Sequence, residues 1–166
     1  MADGQLLYAK RDDVYVLKLV GQIRHTISSG FDAFLEKMFT DADLKDVIID
    51  LTETEYIDST NLGLIAQVAQ RMEARSTKKV AVISTNPDVT EVLTSLGFDQ
   101  VFIIIEETAG IESGMSEIPQ VELSHRNRAL LVLRAHKALI DLSQDNESVF
   151  RNVVDLLERD VDQITT

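Results

Sequence analysis

Short apolar runs separated by polar pairs dominate the start of the chain. Residues 5–11 are rich in apolar side chains, and residues 14–20 are rich in β-branched ones. Asp12 and Asp13 stand between the two runs and are typical of a tight turn. The pattern therefore predicts a β-hairpin whose second strand ends at Gly21.

Helices and buried strands alternate after this hairpin. Apolar side chains repeat at helical spacing in three segments, and continuous apolar runs typical of strands covered on both faces separate them. The predicted order is helix 28–39, strand 47–51, helix 62–72, strand 79–84, helix 87–96 and strand 101–105. This order predicts an α/β domain whose later strands are parallel and joined by right-handed crossovers.

The pattern changes after residue 106. Residues 107–119 contain Gly, Ser and Glu without a clear period and predict a linker. Segments 121–142 and 149–164 then carry Leu, Ile and Val at helical spacing around a polar turn, which predicts an α-helical hairpin. We therefore predict an α/β domain at residues 1–111 and a helical C-terminal extension at residues 112–166. Its apolar faces must be buried against each other and the domain, in a homodimer, or on a second partner.

Composition and charge narrow the classes of function. The chain has 166 residues, 45% of them hydrophobic, and no cysteine, so disulfides and thiol chemistry are excluded. The net charge of −12 makes nucleic acid and anionic membrane surfaces poor partners. No apolar run approaches the ~18 residues of a membrane span. We expect a cytoplasmic protein.

No catalytic motif stands out in the sequence. The spacing of His125 and His136 does not suit a shared metal ion, and we interpret both as solvated side chains on a charged helix. Ser59 and His25 should both lie on loops at one edge of the sheet, which leaves a serine hydrolase as a conceivable function. Nothing in the sequence indicates a shaped pocket or an oxyanion hole for such an enzyme.

Residues 58–63 form the most informative segment. Asp58, Ser59, Thr60 and Asn61 are all residues that commonly cap a helix N-terminus. A hydroxyl at this position is also a good site for a phosphate, because the free N–H groups and the helix dipole favour an anion. A structural cap and a phosphorylation site are compatible there.

The same segment resembles a known family. A strand reading Val-Ile-Ile-Asp-Leu at 47–51, followed by Tyr-Ile-Asp-Ser-Thr-Asn-Leu-Gly at 56–63, is similar to the motif of STAS domains, the anti-sigma-factor antagonists of bacteria. The resemblance covers residues 5–111 and implies a STAS-type mixed sheet flanked by helices. It also implies that a partner anti-sigma kinase phosphorylates Ser59. Asn61 stands where glycine is common, and Arg24 and His25 stand where many members have an acidic residue.

The resemblance predicts a regulator without catalytic activity, cofactor or metal. We expect unphosphorylated protein to bind an anti-sigma kinase-like partner, and phosphorylation to release it; a phosphatase resets the switch. The residues expected at the partner contact are Asp58, Thr60, Asn61, Leu62, Arg24 and His25. We further expect Arg24 to form an ion pair with Asp58. The alternative is a non-switching STAS scaffold or sensory subunit in which Ser59 serves only as a cap.

Overall fold

A mixed β-sheet and a C-terminal helical pair make up the protein. The computed structural model describes residues 4–107 and 114–164. The strands are β1 (Gln5–Arg11), β2 (Val14–Ile23), β3 (Asp46–Asp50), β4 (Thr54–Ile57), β5 (Val80–Ile83), β6 (Phe102–Ile105) and β7 (Ser116–Glu117). The helices are α1 (Ser28–Phe39), α2 (Ser59–Glu73), α3 (Pro87–Ser95), α4 (Phe98–Val101), α5 (His125–Leu142) and α6 (Asn146–Gln163). This architecture confirms the predicted α/β fold with a C-terminal helical hairpin.

The strand order in the sheet is β6-β5-β3-β2-β1-β7. β1 pairs antiparallel with β2, and both turn residues between them have positive φ, 52° at Asp12 and 66° at Asp13. The pairs β2–β3, β3–β5 and β5–β6 are parallel, as the alternation of helices and buried strands predicts. The predicted hairpin and the predicted parallel strands are therefore confirmed.

Strand β2 continues past Gly21, contrary to the expectation that this glycine ends it. Gly21 has a φ of 84°, and the pairing register shifts between Gly21 and Gln22. A bulge of this kind bends a strand without ending it. Beyond the bulge, Ile23 pairs with Ile57 of β4, a strand that the sequence pattern does not predict. The bulge thereby brings the end of β2 beside the chain that leads into α2.

The core extends from the sheet into the C-terminal hairpin. Leu131, Ala135 and Leu139 of α5 belong to the same cluster of buried residues as the strands and α2. Helix α6 packs on α5 through a smaller cluster that contains Leu133 and Val154. Helix α5 is thus part of the main hydrophobic core, and α6 is attached mainly through it.

Asn146, at the start of α6, fixes the turn of this hairpin. Its side chain is 1% exposed, and its Nδ2 donates to the carbonyl oxygens of Leu96, 2.8 Å away, and of Leu139, 2.7 Å away. Those carbonyls lie at the end of α3 and within α5. This buried amide thus joins the start of α6 to both α3 and α5.

Candidate functional site

The segment 58–63 begins helix α2 at the point where β4 ends. Asp58 donates its backbone N–H to the carbonyl of Ile23, 3.0 Å away, so the end of β2 holds the loop. The Asp58 carboxylate caps α2: its Oδ1 accepts from the backbone N–H of Asn61 at 3.0 Å and from the Asn61 side-chain amide at 2.9 Å. Ser59 is the first residue of the helix and is partly exposed. A capped helix and a paired strand therefore hold its hydroxyl in a defined place.

The hydroxyl of Ser59 is bound by a histidine from the C-terminal hairpin. Ser59 Oγ lies 2.9 Å from Nε2 of His136 in α5. The other ring nitrogen, Nδ1, is 2.7 Å from the carbonyl oxygen of Val132, one helical turn earlier. A carbonyl can only accept, so Nδ1 carries the proton, and in the neutral ring Nε2 is left as an acceptor. Ser59 therefore donates its hydroxyl hydrogen to His136.

His136 is buried, so the interpretation of it as a solvated histidine is wrong. Its side chain is 5% exposed and meets the ring of Phe150 edge-on, with ring centroids 5.8 Å apart. The sequence held a sign of this burial, because Leu133 and Leu139 stand three residues before and after His136 on the same face of the helix. His125, by contrast, is exposed as expected.

Arg24 and His25 lie beside this site, at a shallow depression of about 310 Å³ that Asp58 also lines. The predicted ion pair between Arg24 and Asp58 is absent from the part of the chain that the structure describes. His25 approaches instead, with its Nδ1 3.9 Å from Asp58 Oδ2, and it is largely exposed. Ser59 bonds to His136 and not to His25, so the arrangement considered for a hydrolase is not formed.

Three of the predicted partner-binding residues lie in the interior. Thr60, Asn61 and Leu62 are 6%, 0% and 2% exposed. The Asn61 amide binds Asp58, while its Oδ1 is buried without a hydrogen-bond partner among the described residues. Asn61 lies inside a regular helix, which explains why glycine is not required there. The surface at this site is therefore formed by Asp58 and Ser59.

Helix α5 covers the side of α2 that begins at Ser59. One turn later, a Cβ built on Gly63 would overlap the carbonyl oxygen of Ala135 and would lie 2.7 Å from the Ala135 Cα. Further along, Gln70 donates from its Nε2 to the carbonyl oxygen of Ala138 at 3.1 Å. The two backbones meet so closely at Gly63 that no larger side chain fits between them. The hairpin is thus packed directly on the helix that carries the candidate phosphorylation site.

Comparison with known proteins identifies the domain that carries this site. A family model described as STAS domain matches residues 5–110, well over half of the chain. The chain belongs to the STAS domain family. The family match ends before α5, so the hairpin that supplies His136 lies outside it. No curated protein sequence matches the chain.

Several solved structures share the STAS fold seen here. The anti-sigma factor antagonist SpoIIAA in its unphosphorylated form is 18% identical, with a TM-score of 0.54 over 64% of this chain and 90% of that one. The Bacillus SpoIIAA in its phosphorylated form is 17% identical, with a TM-score of 0.52 over 64% of this chain and 93% of that one. A putative anti-sigma factor antagonist from Thermotoga maritima is 23% identical, with a TM-score of 0.54 over 61% and 86% of the two chains. These similarities establish the fold.

A second cavity of the STAS domain lies away from Ser59. It measures about 550 Å³ and is lined by Tyr8, Tyr15, Phe34 and Asp41 together with apolar side chains. Asp41 Oδ2 accepts from Lys10 Nζ at 2.8 Å and from the Tyr15 hydroxyl at 2.7 Å. These two hydrogen bonds, that from Lys10 above all, lower the pKa of Asp41 to about 2. The carboxylate therefore remains ionised at the rim of the cavity.

The described residues offer neither a metal site nor a membrane span. No group of three or more His, Asp or Glu side chains within residues 4–107 and 114–164 is arranged to hold a metal ion. No helix in those ranges is long and apolar enough to cross a bilayer. The outward face of α6 does expose Val149, Val153 and Leu156. A homodimer through the C-terminal helices stays a prediction.

Proposed function

We propose that this STAS protein is an anti-sigma-factor antagonist of a partner-switching pathway, with Ser59 as its phosphoacceptor. The observation that carries the proposal is the position of Ser59: a partly exposed serine at the first residue of α2, on the fold of known antagonists. The unphosphorylated protein binds a cytoplasmic anti-sigma factor with serine kinase activity and so frees the sigma factor. The protein itself catalyses no reaction.

The chemistry of the site supports a phosphate as the switching group. Phosphorylation of Ser59 adds a charge of about −1.5 to −2 where a neutral hydroxyl stood. The N-terminus of α2 tolerates that charge, because its free N–H groups and dipole favour anions. The neighbouring Asp58 carboxylate is already negative, so the modified surface strongly repels an acidic partner and is costly to desolvate in an interface. Phosphorylation is therefore expected to weaken binding while leaving the sheet intact.

The surface available to the partner is smaller than the sequence motif implies. Asp58, Arg24 and His25 line one depression, and Ser59, the residue after Asp58, is partly exposed. Thr60, the neighbouring hydroxyl, is buried. Ser59 is consequently a better phosphoacceptor than Thr60, and the Arg24 and His25 side chains are placed to contact the partner or the phosphate.

The experiment compares wild type with Ser59→Ala, Ser59→Asp and, as a matched control, Ser95→Ala. Ser95 is an exposed serine at the end of α3, away from the site. Each protein is incubated with ATP and an extract of the source cells, then re-isolated and analysed by intact-mass and peptide mass spectrometry. We expect one added phosphate in wild type and in Ser95→Ala, located at Ser59, and none in Ser59→Ala.

Binding is measured with the same variants as bait. We expect Ser59→Ala to retain a protein that has both serine kinase activity and affinity for a sigma factor, and Ser59→Asp to lose it. Phosphate at Thr60 in place of Ser59 would move the site by one residue. Absence of phosphate under all growth conditions, or covalent labelling of Ser59 by a fluorophosphonate probe, would contradict the proposal.

One observation favours the second candidate, a non-switching STAS scaffold. The Ser59 hydroxyl is already engaged by His136, as expected of a residue that joins the hairpin to the domain. On that view Ser59→Asp and Ser59→Ala retain the same partners in the binding experiment, and no phosphate is found at Ser59 in cells.

A further inference from the structure

The C-terminal hairpin occupies one whole side of the helix that follows Ser59. Three α2 residues with direct contacts to α5 recur on a single side of the helix: Ser59, Gly63 and Gln70. Between Ser59 and Gln70 the contact is made by a glycine against the backbone of Ala135. Such a close backbone approach exists only because neither residue carries a large side chain. The hairpin is therefore fitted to this side of α2.

The contact between α5 and α2 includes Ser59 Oγ, the atom that the proposed kinase must modify. Ser59 Oγ and His136 Nε2 are 2.9 Å apart, a hydrogen-bond distance with no space for an inserted phosphate. Since Nδ1 of His136 donates to the carbonyl of Val132, Nε2 of the neutral ring presents a lone pair to Ser59. A phosphoserine dianion has only acceptor oxygens to offer the lone pair of a neutral ring. Phosphorylation therefore removes the one hydrogen that joins the two groups and sets a dianion against a buried acceptor.

We propose that the α5–α6 hairpin is a built-in cover for the Ser59 side of α2, and that hairpin docking and Ser59 phosphorylation oppose each other through His136. This proposal rests on Ser59 being the phosphoacceptor. Coupling between two such events is reciprocal: the factor by which phosphate weakens docking is the factor by which docking disfavours the phosphorylated state.

The effect of phosphate on hairpin docking depends on which contacts of the hairpin remain and which are lost. Leu131, Ala135 and Leu139 stay buried in the main core, so phosphate does not release the hairpin completely. Loss of the Ser59 hydrogen bond leaves His136 Nε2 without a donor in a buried site. A penalty of this type shifts an equilibrium by about tenfold or more. We expect phosphorylation to shift the equilibrium from the docked towards the undocked hairpin by that factor and to leave the sheet unaffected.

Hydrogen exchange of the full-length chain tests the coupling without any kinase. Phosphoserine is installed at position 59 by genetic-code expansion, and amide exchange is compared with that of wild type. The matched control carries phosphoserine at position 76, a partly exposed serine beyond the end of α2. We expect exchange in α5 and α6 to be at least about tenfold faster with phosphoserine 59, and unchanged with phosphoserine 76. Strands β3 and β5 should exchange as in wild type in both proteins.

His136→Gln supplies the second arm and shows whether the coupling passes through this residue. Glutamine can accept from the serine hydroxyl or donate to a phosphate, so it has a partner in both states. We expect phosphoserine 59 to accelerate α5 exchange several-fold less in His136→Gln than in the wild-type background. An equal acceleration in both backgrounds would overturn the role of His136.

Unchanged exchange of α5 in the phosphoserine 59 protein would overturn the proposal. Slower exchange would also overturn it, because it would mean that the phosphate stabilises hairpin docking. These outcomes are independent of the cell extract, since the phosphate is placed during translation. A failure to find phosphate at Ser59 in extracts would count against the proposed function. A failure to see faster exchange would count against the opposing coupling alone.

Discussion

Replacing Gly63 with alanine tests the packing of α5 on α2 most directly. In a solvated helix, glycine to alanine stabilises a protein by roughly 0.5–1 kcal/mol, because alanine loses less backbone entropy on folding. At Gly63 the new methyl group would overlap the carbonyl oxygen of Ala135 and lie 2.7 Å from its Cα. The obstacle is backbone, so no side-chain rotation relieves it. The structure thus predicts the opposite sign from helix propensity.

The magnitude comes from the cost of overpacking. Forcing extra atoms into a packed core costs about 1–3 kcal/mol, and the gain in helix propensity offsets less than 1 kcal/mol of it. We expect Gly63→Ala to lower the free energy of unfolding by about 1–2 kcal/mol, or to separate α5 from α2. Separation would appear as faster amide exchange in α5 while strands β3 and β5 stay protected.

The assay is urea unfolding followed by circular dichroism, together with hydrogen exchange. Glu73→Ala provides the control, because this position is exposed at the end of the same helix. It should change stability by no more than a few tenths of a kcal/mol. If Gly63→Ala raises the urea midpoint and leaves α5 exchange unchanged, the close approach to Ala135 does not exist and the hairpin does not cover α2.

Three further predictions concern single side chains. Asp58→Ala should cost about 1–2 kcal/mol in urea unfolding, because it removes the cap of α2; an unchanged midpoint would show that the cap is dispensable. Asn146→Ala should cost about 1–3 kcal/mol by leaving two buried carbonyls unpaired, and a neutral result would mean that water replaces the amide. Asp41→Asn should reduce stability above pH 3.8, because Lys10 and Tyr15 lower the pKa of the folded carboxyl to about 2. The difference in stability from wild type should shrink as the pH falls towards 2, and a difference that persists to pH 2 would refute this prediction.

Local pattern predicts the parts of the fold that local forces determine. The hairpin around Asp12 and Asp13 depends on neighbouring residues, and the buried strands reveal themselves as continuous apolar runs. Strand β4 was missed because its four residues pair with β2 only after the bulge at Gly21, and β7 because its two residues pair with β1 across the sheet. Neither strand is long enough to carry a period of its own.

The candidate site also combines features that a local motif predicts with features that only tertiary contacts determine. The cap of α2 and the position of Ser59 follow from a local motif, and the structure forms that cap. The partner of the Ser59 hydroxyl does not follow from any motif, because His136 lies 77 residues away along the chain. Burial of Thr60 and Leu62 likewise depends on tertiary packing, which no single segment of the sequence encodes.

The separation between Ser59 and His136 along the chain also determines the order in which the two residues are synthesised. A ribosome adds about 5–20 residues per second, so His136, 77 positions after Ser59, is added about 4–15 s later. During that interval α2 has been synthesised in each new molecule, whereas the α5–α6 hairpin has not. The nascent chain therefore passes once through a state in which the α2 side is open to kinases, partners and chaperones alike, before the last two helices close over it.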